Sequence, residues 1–249
     1  MTKTNKNYRI GTSGWHYKHW TGPFYPEKMK TGDMLKFYLQ HFSTVEINNS
    51  FYKLPEEKTL KQWASLVPAG FEFAVKASRY ITHVKKLKDP EEPVNTFMSR
   101  IEVLGDKLGP VLFQLPPSWK VNLERLESFC KVLPGGFSYA FEFRNPTWFD
   151  DSVIEILNEY NASFCIYDIE GRTSPSHLVG PIRYIRLHGP DGKYQGSYSK
   201  QQLRKWANLL SSWREQGRKA YCYFDNDQNG YAPHNALTLM EMLQTTRSS

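Results

Sequence analysis

The sequence predicts an α/β chain folded as a (β/α)8 barrel of the TIM type, a closed parallel sheet forming a single domain over residues 1–249. Three observations carry this. Short apolar runs alternate with amphipathic helical stretches along the whole chain, at spacings of roughly 25 to 35 residues. The first strand turn, Gly11-Thr12-Ser13-Gly14, lacks the GxGxxG pattern that an open nucleotide-binding sheet needs. Successive strands also end in a polar residue on the face opposite their bulky apolar side chains.

The elements follow in order. Arg9 to Thr12 reads as the first strand, and an aromatic loop follows with Trp15, Tyr17, Trp20, Phe24 and Tyr25. Asp33 is placed to cap a helix through Phe42, with Leu35, Tyr38, Leu39 and Phe42 at helical spacing. The second strand is Thr44 to Asn48, the next helix Pro55 to Leu66, and the third strand Phe71 to Lys76. A long basic loop, Ala77 to Pro93, holds Arg79, His83, Lys85, Lys86 and Lys88. Val94 to Leu108 is amphipathic, and Gly109-Pro110 turns into a fourth strand, Val111 to Leu115. A helix from Leu123 to Leu133 ends at Gly135-Gly136.

The fifth strand, in Ser138 to Trp148, alternates most clearly. Tyr139, Phe141 and Phe143 point one way, Ala140, Glu142 and Arg144 the other, and Asn145-Pro146 stops the run. Asp151 to Tyr160 is helical, and Ser163 to Asp168 is the sixth strand. The connection from Ile169 to Pro181 lacks helical periodicity, so this crossover has an incomplete helix. Ile182 to His188 is the seventh strand. A Gly-rich loop, Gly189 to Gly196, then leads to a helix from Ser199 to Gln216. Lys219 to Asp225 is the eighth strand, and Pro233 starts a last helix to Leu243. Residues 1–7 and 245–249 are expected to be flexible ends.

The net charge of +7 favours anionic partners over cationic ones. Cys130, Cys165 and Cys222 have no metal-site spacing and read as buried, reduced thiols of a cytoplasmic protein. There is no signal-peptide pattern, and no apolar run reaches the ~18 residues a membrane span needs.

If the bulky face of each strand meets the helices, the polar face lines the lumen, and its last residues ring the C-terminal mouth where barrel enzymes keep their sites. The upper ring would be Asn48, Lys76, Gln114, Arg144, Asp168 and His188, with Glu46, Glu142 and Arg186 one layer deeper. On the eighth strand either Asp225 or Asn226 would face inward. Any one such residue also fits a plain structural role, as a loop anchor or salt-bridge partner. A buried ion pair kept for stability alone gains little, because desolvation offsets much of the attraction.

Gly11-Thr12-Ser13-Gly14-Trp15, Val45-Glu46-Ile47-Asn48-Asn49-Ser50-Phe51-Tyr52, Phe113-Gln114-Leu115-Pro116-Pro117, Glu142-Phe143-Arg144 with Trp148, and Arg186-Leu187-His188-Gly189 resemble the YecE-like family, the domain of unknown function numbered seventy-two. Lys76-Ala77-Ser78, Thr82-His83, Tyr223 to Asp227 and Asn235-Ala236 fit the same pattern. The resemblance spans nearly the whole chain and implies a TIM-type barrel. It implies no established activity. The family usually has two asparagines where this chain has Asp225-Asn226.

The mouth fits an enzyme of hydrolase or lyase type acting on an anionic, phosphate-bearing substrate, with nucleic acid among the candidates. Glu142, Glu46, Asp168 and His188 are the candidate catalytic groups. Asn48, Lys76, Gln114, Arg144, Arg186, Trp15, Trp148 and Asn226 are the candidate substrate contacts, the cations for phosphate and the aromatics for stacking or for packing loops over the rim. A glycoside-processing enzyme using Glu46 and Glu142 is the alternative, and a non-catalytic anion- or RNA-binding module is another. No cofactor is expected. A divalent metal at Glu142, Asp168 and His188 is a further alternative, weakened by the lack of HxH or HxxxH spacing. The expected partners are a small anion or nucleic acid, without a membrane, for a monomeric protein.

Overall fold

The structure, a computed structural model, describes residues 8–245. The expected flexible ends lie outside these residues, apart from Thr245, the last residue of the final helix. The strands are β1 (Tyr8–Thr12), β2 (Thr44–Ile47), β3 (Glu72–Lys76), β4 (Leu108–Gln114), β5 (Tyr139–Glu142), β6 (Ser163–Ile169), β7 (Arg172–Thr173), β8 (Ile182–Leu187) and β9 (Lys219–Phe224). The helices are α1 (Met34–Tyr38), α2 (Glu57–Leu66), α3 (Glu91–Ile101), α4 (Leu123–Lys131), α5 (Asp151–Glu159), α6 (Lys200–Glu215) and α7 (Tyr231–Thr245). The strand order is β1-β9-β8-β6-β5-β4-β3-β2, with β7 paired to β6. This is an α/β protein of the TIM-type (β/α)8 class. Between β6 and β8 stands the short strand β7 and no helix. No helix among the described residues is long and apolar enough to cross a membrane.

The described chain divides into two compact units, one of residues 8–46, 166–174 and 184–245, the other of residues 47–165 and 175–183. Three of the four boundaries fall within β2, β6 and β8, and the fourth lies just after β7.

In the first unit β1 lies parallel to β9, from Tyr8 opposite Ala220 to Thr12 opposite Phe224. Helix α7 packs on both strands and on α6. A capping box starts α6: the Ser199 hydroxyl accepts from the Gln202 N–H, and the Gln202 side chain accepts from the Ser199 N–H. Gly11 sits where a Cβ would lie 2.4 Å from the Thr44 carbonyl oxygen and 2.9 Å from the Tyr38 hydroxyl. That hydroxyl accepts from the Thr12 N–H at 3.0 Å and donates to the Thr44 carbonyl at 3.1 Å. The first glycine of the Gly11–Gly14 turn therefore serves close packing of β1 against β2. The aromatic loop folds inward: Trp20 is fully buried and donates its indole N–H to the Asp227 carbonyl, and Tyr25 donates to the Trp15 carbonyl.

In the second unit β3, β4, β5 and the start of β6 form consecutive parallel ladders. On one side, Phe113, Phe141, Phe143 and Trp148 stack in sequence, with ring centroids 5.3, 6.1 and 5.0 Å apart. This is the bulky face expected from the alternation of β5. Helices α4 and α5 open on side-chain caps from Asn122 and Asp150.

Three elements differ from expectation. The helix expected from Asp33 to Phe42 is a 3₁₀ turn, Thr31–Asp33, followed by the five-residue α1. Asp33 has helical backbone angles itself, so its side chain makes no cap. The helix expected from Val94 to Leu108 begins at Glu91, with Pro93 in its first turn, and ends at Ile101. A 3₁₀ segment follows, broken at Gly105, and β4 then starts at Leu108. Phe73 faces Leu108 and Val75 faces Val111, so β4 carries a one-residue bulge at Gly109-Pro110, where the ladder donor that proline lacks is not required. The basic loop holds one π-helical turn, Tyr80–Val84, and Leu87 is buried beyond it.

Gly11→Ala is expected to lower stability by roughly 2–4 kcal/mol, since the nearest contact of the new methyl is backbone and cannot rotate away. Urea unfolding checks this. A midpoint equal to that of the unsubstituted protein would show that β1 and β2 can separate at no cost.

Candidate functional site

In the first unit the alternation of β8 places Tyr184, Arg186 and, just past its end, His188 on one face. The Arg186 guanidinium is completely buried. Its Nε lies 3.1 Å from both Glu46 oxygens. Its Nη2 donates to Glu46 Oε1 at 2.7 Å, to Asp225 Oδ2 at 3.0 Å and to Ser13 Oγ at 3.2 Å. Glu46 is equally buried and also accepts from Tyr184 at 2.7 Å and from the Ser13 hydroxyl. Both Glu46 oxygens are thus engaged by donors. Burial, then the Glu46 charge, drives the Tyr184 phenol well above its ordinary pKa, so it stays protonated and keeps donating.

His188 is also fully buried, with Nδ1 3.0 Å from Asp225 Oδ2 and Nε2 3.4 Å from Arg186 Nη1. A guanidinium only donates, so Nε2 accepts and Nδ1 carries the proton, beside Asp225. Acid dominates around the network. Burial, then Asp225, Asp227 and Glu46, raises the Tyr17 phenol well above its usual range, with Arg186 opposing. Burial and Asp225 likewise raise the Asp227 carboxyl.

The ambiguity of the last strand resolves as alternation. Asp225 turns to Arg186, while Asn226 turns to the loop after β8, donating to the Gly196 carbonyl at 2.8 Å and to Asn235 Oδ1 at 2.9 Å. Asn235 in turn accepts from the Tyr198 N–H at 3.0 Å. The Tyr198 hydroxyl donates to Asp168 Oδ1 at 2.8 Å and accepts from the Gly189 N–H at 3.0 Å. Thr173 donates to the other Asp168 oxygen at 3.1 Å. Gly189 has φ +112°, and a Cβ there would lie 2.2 Å from the Gln195 carbonyl oxygen, so only glycine fits. Asp168 and Asn226, expected as catalytic and substrate-binding groups, therefore hold this loop. Trp15, expected at the substrate, is buried, and its carbonyl accepts from Tyr25.

In the second unit Glu142 ends β5 opposite Gln114, the half-buried last residue of β4. Glu142 is fully buried and pairs with Arg144 Nε, and Cys165 Sγ lies 3.8 Å from its other oxygen. Lys76 ends β3 with its Nζ 4.2 Å above the centroid of the Phe51 ring. The His83 ring meets the same Phe51 edge-on, 4.9 Å between centroids. Asn48 follows β2, its Oδ1 buried without a partner among the described residues. His83 was not expected as a site residue, because a histidine in an apparent loop carries no periodic signal. Burial, then Lys76, Arg79 and Arg144, lowers its pKa to about 4, with Glu142 opposing. The cations thus outweigh the carboxylate at this ring.

Trp148, expected as a substrate contact, is fully buried and stacked on Phe143, and its indole N–H donates to the Trp119 carbonyl at 2.8 Å. Exposed aromatic surface lies at Tyr52, 81% exposed, and Tyr80, 51% exposed. Among the described residues, no three His, Cys, Asp or Glu side chains group as metal ligands would.

Fold and strand ends together define a (β/α)8 barrel protein whose last strand residues form buried ion pairs. The family model described as protein of unknown function DUF72 matches residues 9–249, and the chain belongs to that family. It is 27% identical to UPF0759 protein YunF of Bacillus subtilis (strain 168), covering 94% of each chain. It is 25% identical to UPF0759 protein YecE of Escherichia coli (strain K12), covering 95% of this chain and 93% of the relative. The crystal structure of a DUF72 family protein from Thermotoga maritima MSB8 superposes with a TM-score of 0.87 at 29% identity, covering 95% of this chain and 99% of that one.

Glu46→Ala should cost roughly 3–5 kcal/mol, since it leaves the buried Arg186 without its main counter-charge. Asp225→Asn, which keeps an acceptor, should cost less. Denaturant unfolding of both variants tests this, and a loss under about 1 kcal/mol for Glu46→Ala would mean that Arg186 is held by other groups.

Proposed function

We propose that the protein is a barrel enzyme of hydrolase or lyase type that takes an anionic, phosphate-bearing substrate at the strand ends of the second unit. The observation that carries this is that Lys76 and His83 meet on one Phe51 ring, where Lys76, Arg79 and Arg144 act on His83 against the Glu142 carboxylate. A guanidinium held at Nε and an ammonium on an aromatic ring suit a tetrahedral oxyanion. Glu142 would serve as base toward the bound substrate and would fix Arg144 until it arrives. Tyr52, whose ring packs on Phe51, and Tyr80, next to Arg79 in the chain, supply exposed rings, which keeps nucleic acid among the candidate substrates.

This reading narrows the expectation drawn from the sequence. Arg186 directs its donors to Glu46, Asp225 and Ser13, so it maintains the first unit and is not the phosphate clamp. The same geometry weighs against a glycosidase using Glu46 as acid, because a protonated carboxyl would face a guanidinium.

Inorganic phosphate and a labelled single-stranded oligonucleotide are titrated at low and moderate salt. Binding should weaken with salt, and Lys76→Ala or Arg144→Ala should weaken it at least about tenfold. Equal affinity in both variants would overturn the assignment to this site. Binding that survives in Glu142→Gln, with no turnover by the unsubstituted protein on any phosphate ester, would identify a non-catalytic anion-binding module.

A further inference from the structure

His83 stands out as a half-buried, chemically active ring presented by a π-helical turn, a local geometry often found at functional sites. Thr82 Oγ1 lies 3.2 Å from the Ser78 carbonyl and 2.9 Å from His83 Nδ1. We assign the hydroxyl proton to the Ser78 carbonyl; the hydroxyl oxygen then accepts from Nδ1–H, and the lone pair of the neutral ring falls on Nε2. The same Phe51 ring holds Lys76 on its face and His83 at its edge, so ammonium and imidazole are held by one rigid side chain.

We propose that His83 Nε2 is the proton-accepting group of the anion site, so that a tetrahedral oxyanion held by Lys76 and Arg144 binds together with one proton. The inference rests on the anion-binding reading above. The proton comes from solvent and forms one N–H bond at Nε2. No other covalent bond changes. The resulting imidazolium adds a charged donor to the ligand.

The charged groups around the ring give the sign. Lys76, Arg79 and Arg144 disfavour protonation of the empty site, and Glu142 favours it. A bound dianion offsets the three cations and contributes its own attraction. The His83 pKa is therefore higher in the complex than in the free protein. Protons are taken up on binding, and affinity rises as pH falls through the bound pKa toward the free one.

Sulfate is the probe, because it stays a dianion from pH 4 to 8. Ring resonances of the full chain are followed by NMR, with His83 assigned from the spectrum of His83→Gln. Without sulfate, His83 should titrate near 4. With saturating sulfate it should titrate at least about one pH unit higher. Calorimetry in buffers of different ionisation enthalpy should show uptake of up to one proton. Between the free and bound pKa values, sulfate affinity should rise as much as about tenfold per unit fall in pH. His83→Gln should lose this pH dependence. Sulfate binding that depends on Lys76 but leaves the His83 titration unmoved would overturn the inference and leave the proposed site standing. Absence of both sulfate and phosphate binding would overturn the two together.

Discussion

A guanidinium that never loses its charge, completely removed from water, is the constraint on which the first unit depends. Arg186 is tolerable there only because acceptors arrive from three other strands or strand ends: Ser13 after β1, Glu46 in β2 and Asp225 after β9. Each of these positions is then restricted in turn. Glu46 needs the Tyr184 and Ser13 hydroxyls to complete its coordination. Asp225 needs the His188 ring, and Gly11 must stay bare so that β1 approaches the Thr44 carbonyl. Breaking one contact leaves a charge stranded in a low-dielectric interior, which is far more costly than the intact network is stabilising.

The same residue types do different work in the two units. Around Tyr17 the carboxylates Asp225, Asp227 and Glu46 are opposed by Arg186, and with burial they raise the Tyr17 phenol; burial and Asp225 raise the Asp227 carboxyl. Around His83 the cations Lys76, Arg79 and Arg144 are opposed by Glu142, and the neutral ring is favoured. The proposed function falls on Lys76, Arg144 and His83 because the balance there is positive, which suits an anion.

Much of the fold was legible because strands have a strict period. The alternation of Tyr139, Phe141 and Phe143 against Glu142 correctly separated packing face from polar face, and the face shared by Tyr184, Arg186 and His188 was equally clear. Pairing was not legible. That Glu46 belongs to Arg186 depends on which strand ends meet, which no local pattern encodes. The pair of Glu142 with Arg144, two residues apart on one strand face, was legible. Aromatic residues misled for a related reason. Trp15 and Trp148 sit in apparent loops, yet the loops fold inward and bury them. His83 was hidden because one π-helical turn is too short to leave a periodic trace.

The pairing of β1 with β9 also sets an order of events during synthesis. Tyr8 finds its ladder partner only at Ala220, so the first strand made waits for almost the last. At ~5–20 residues per second, roughly 10 to 40 s separate the two at the ribosome. Most of the second unit is one unbroken stretch, residues 47–165, and can gain its contacts within that interval. Glu46 waits roughly 7 to 28 s at the same rate for Arg186, and the apolar face of β1 stays uncovered until α7 and β9 exist. Late closure of this kind leaves the β1 segment exposed to aggregation in truncated chains.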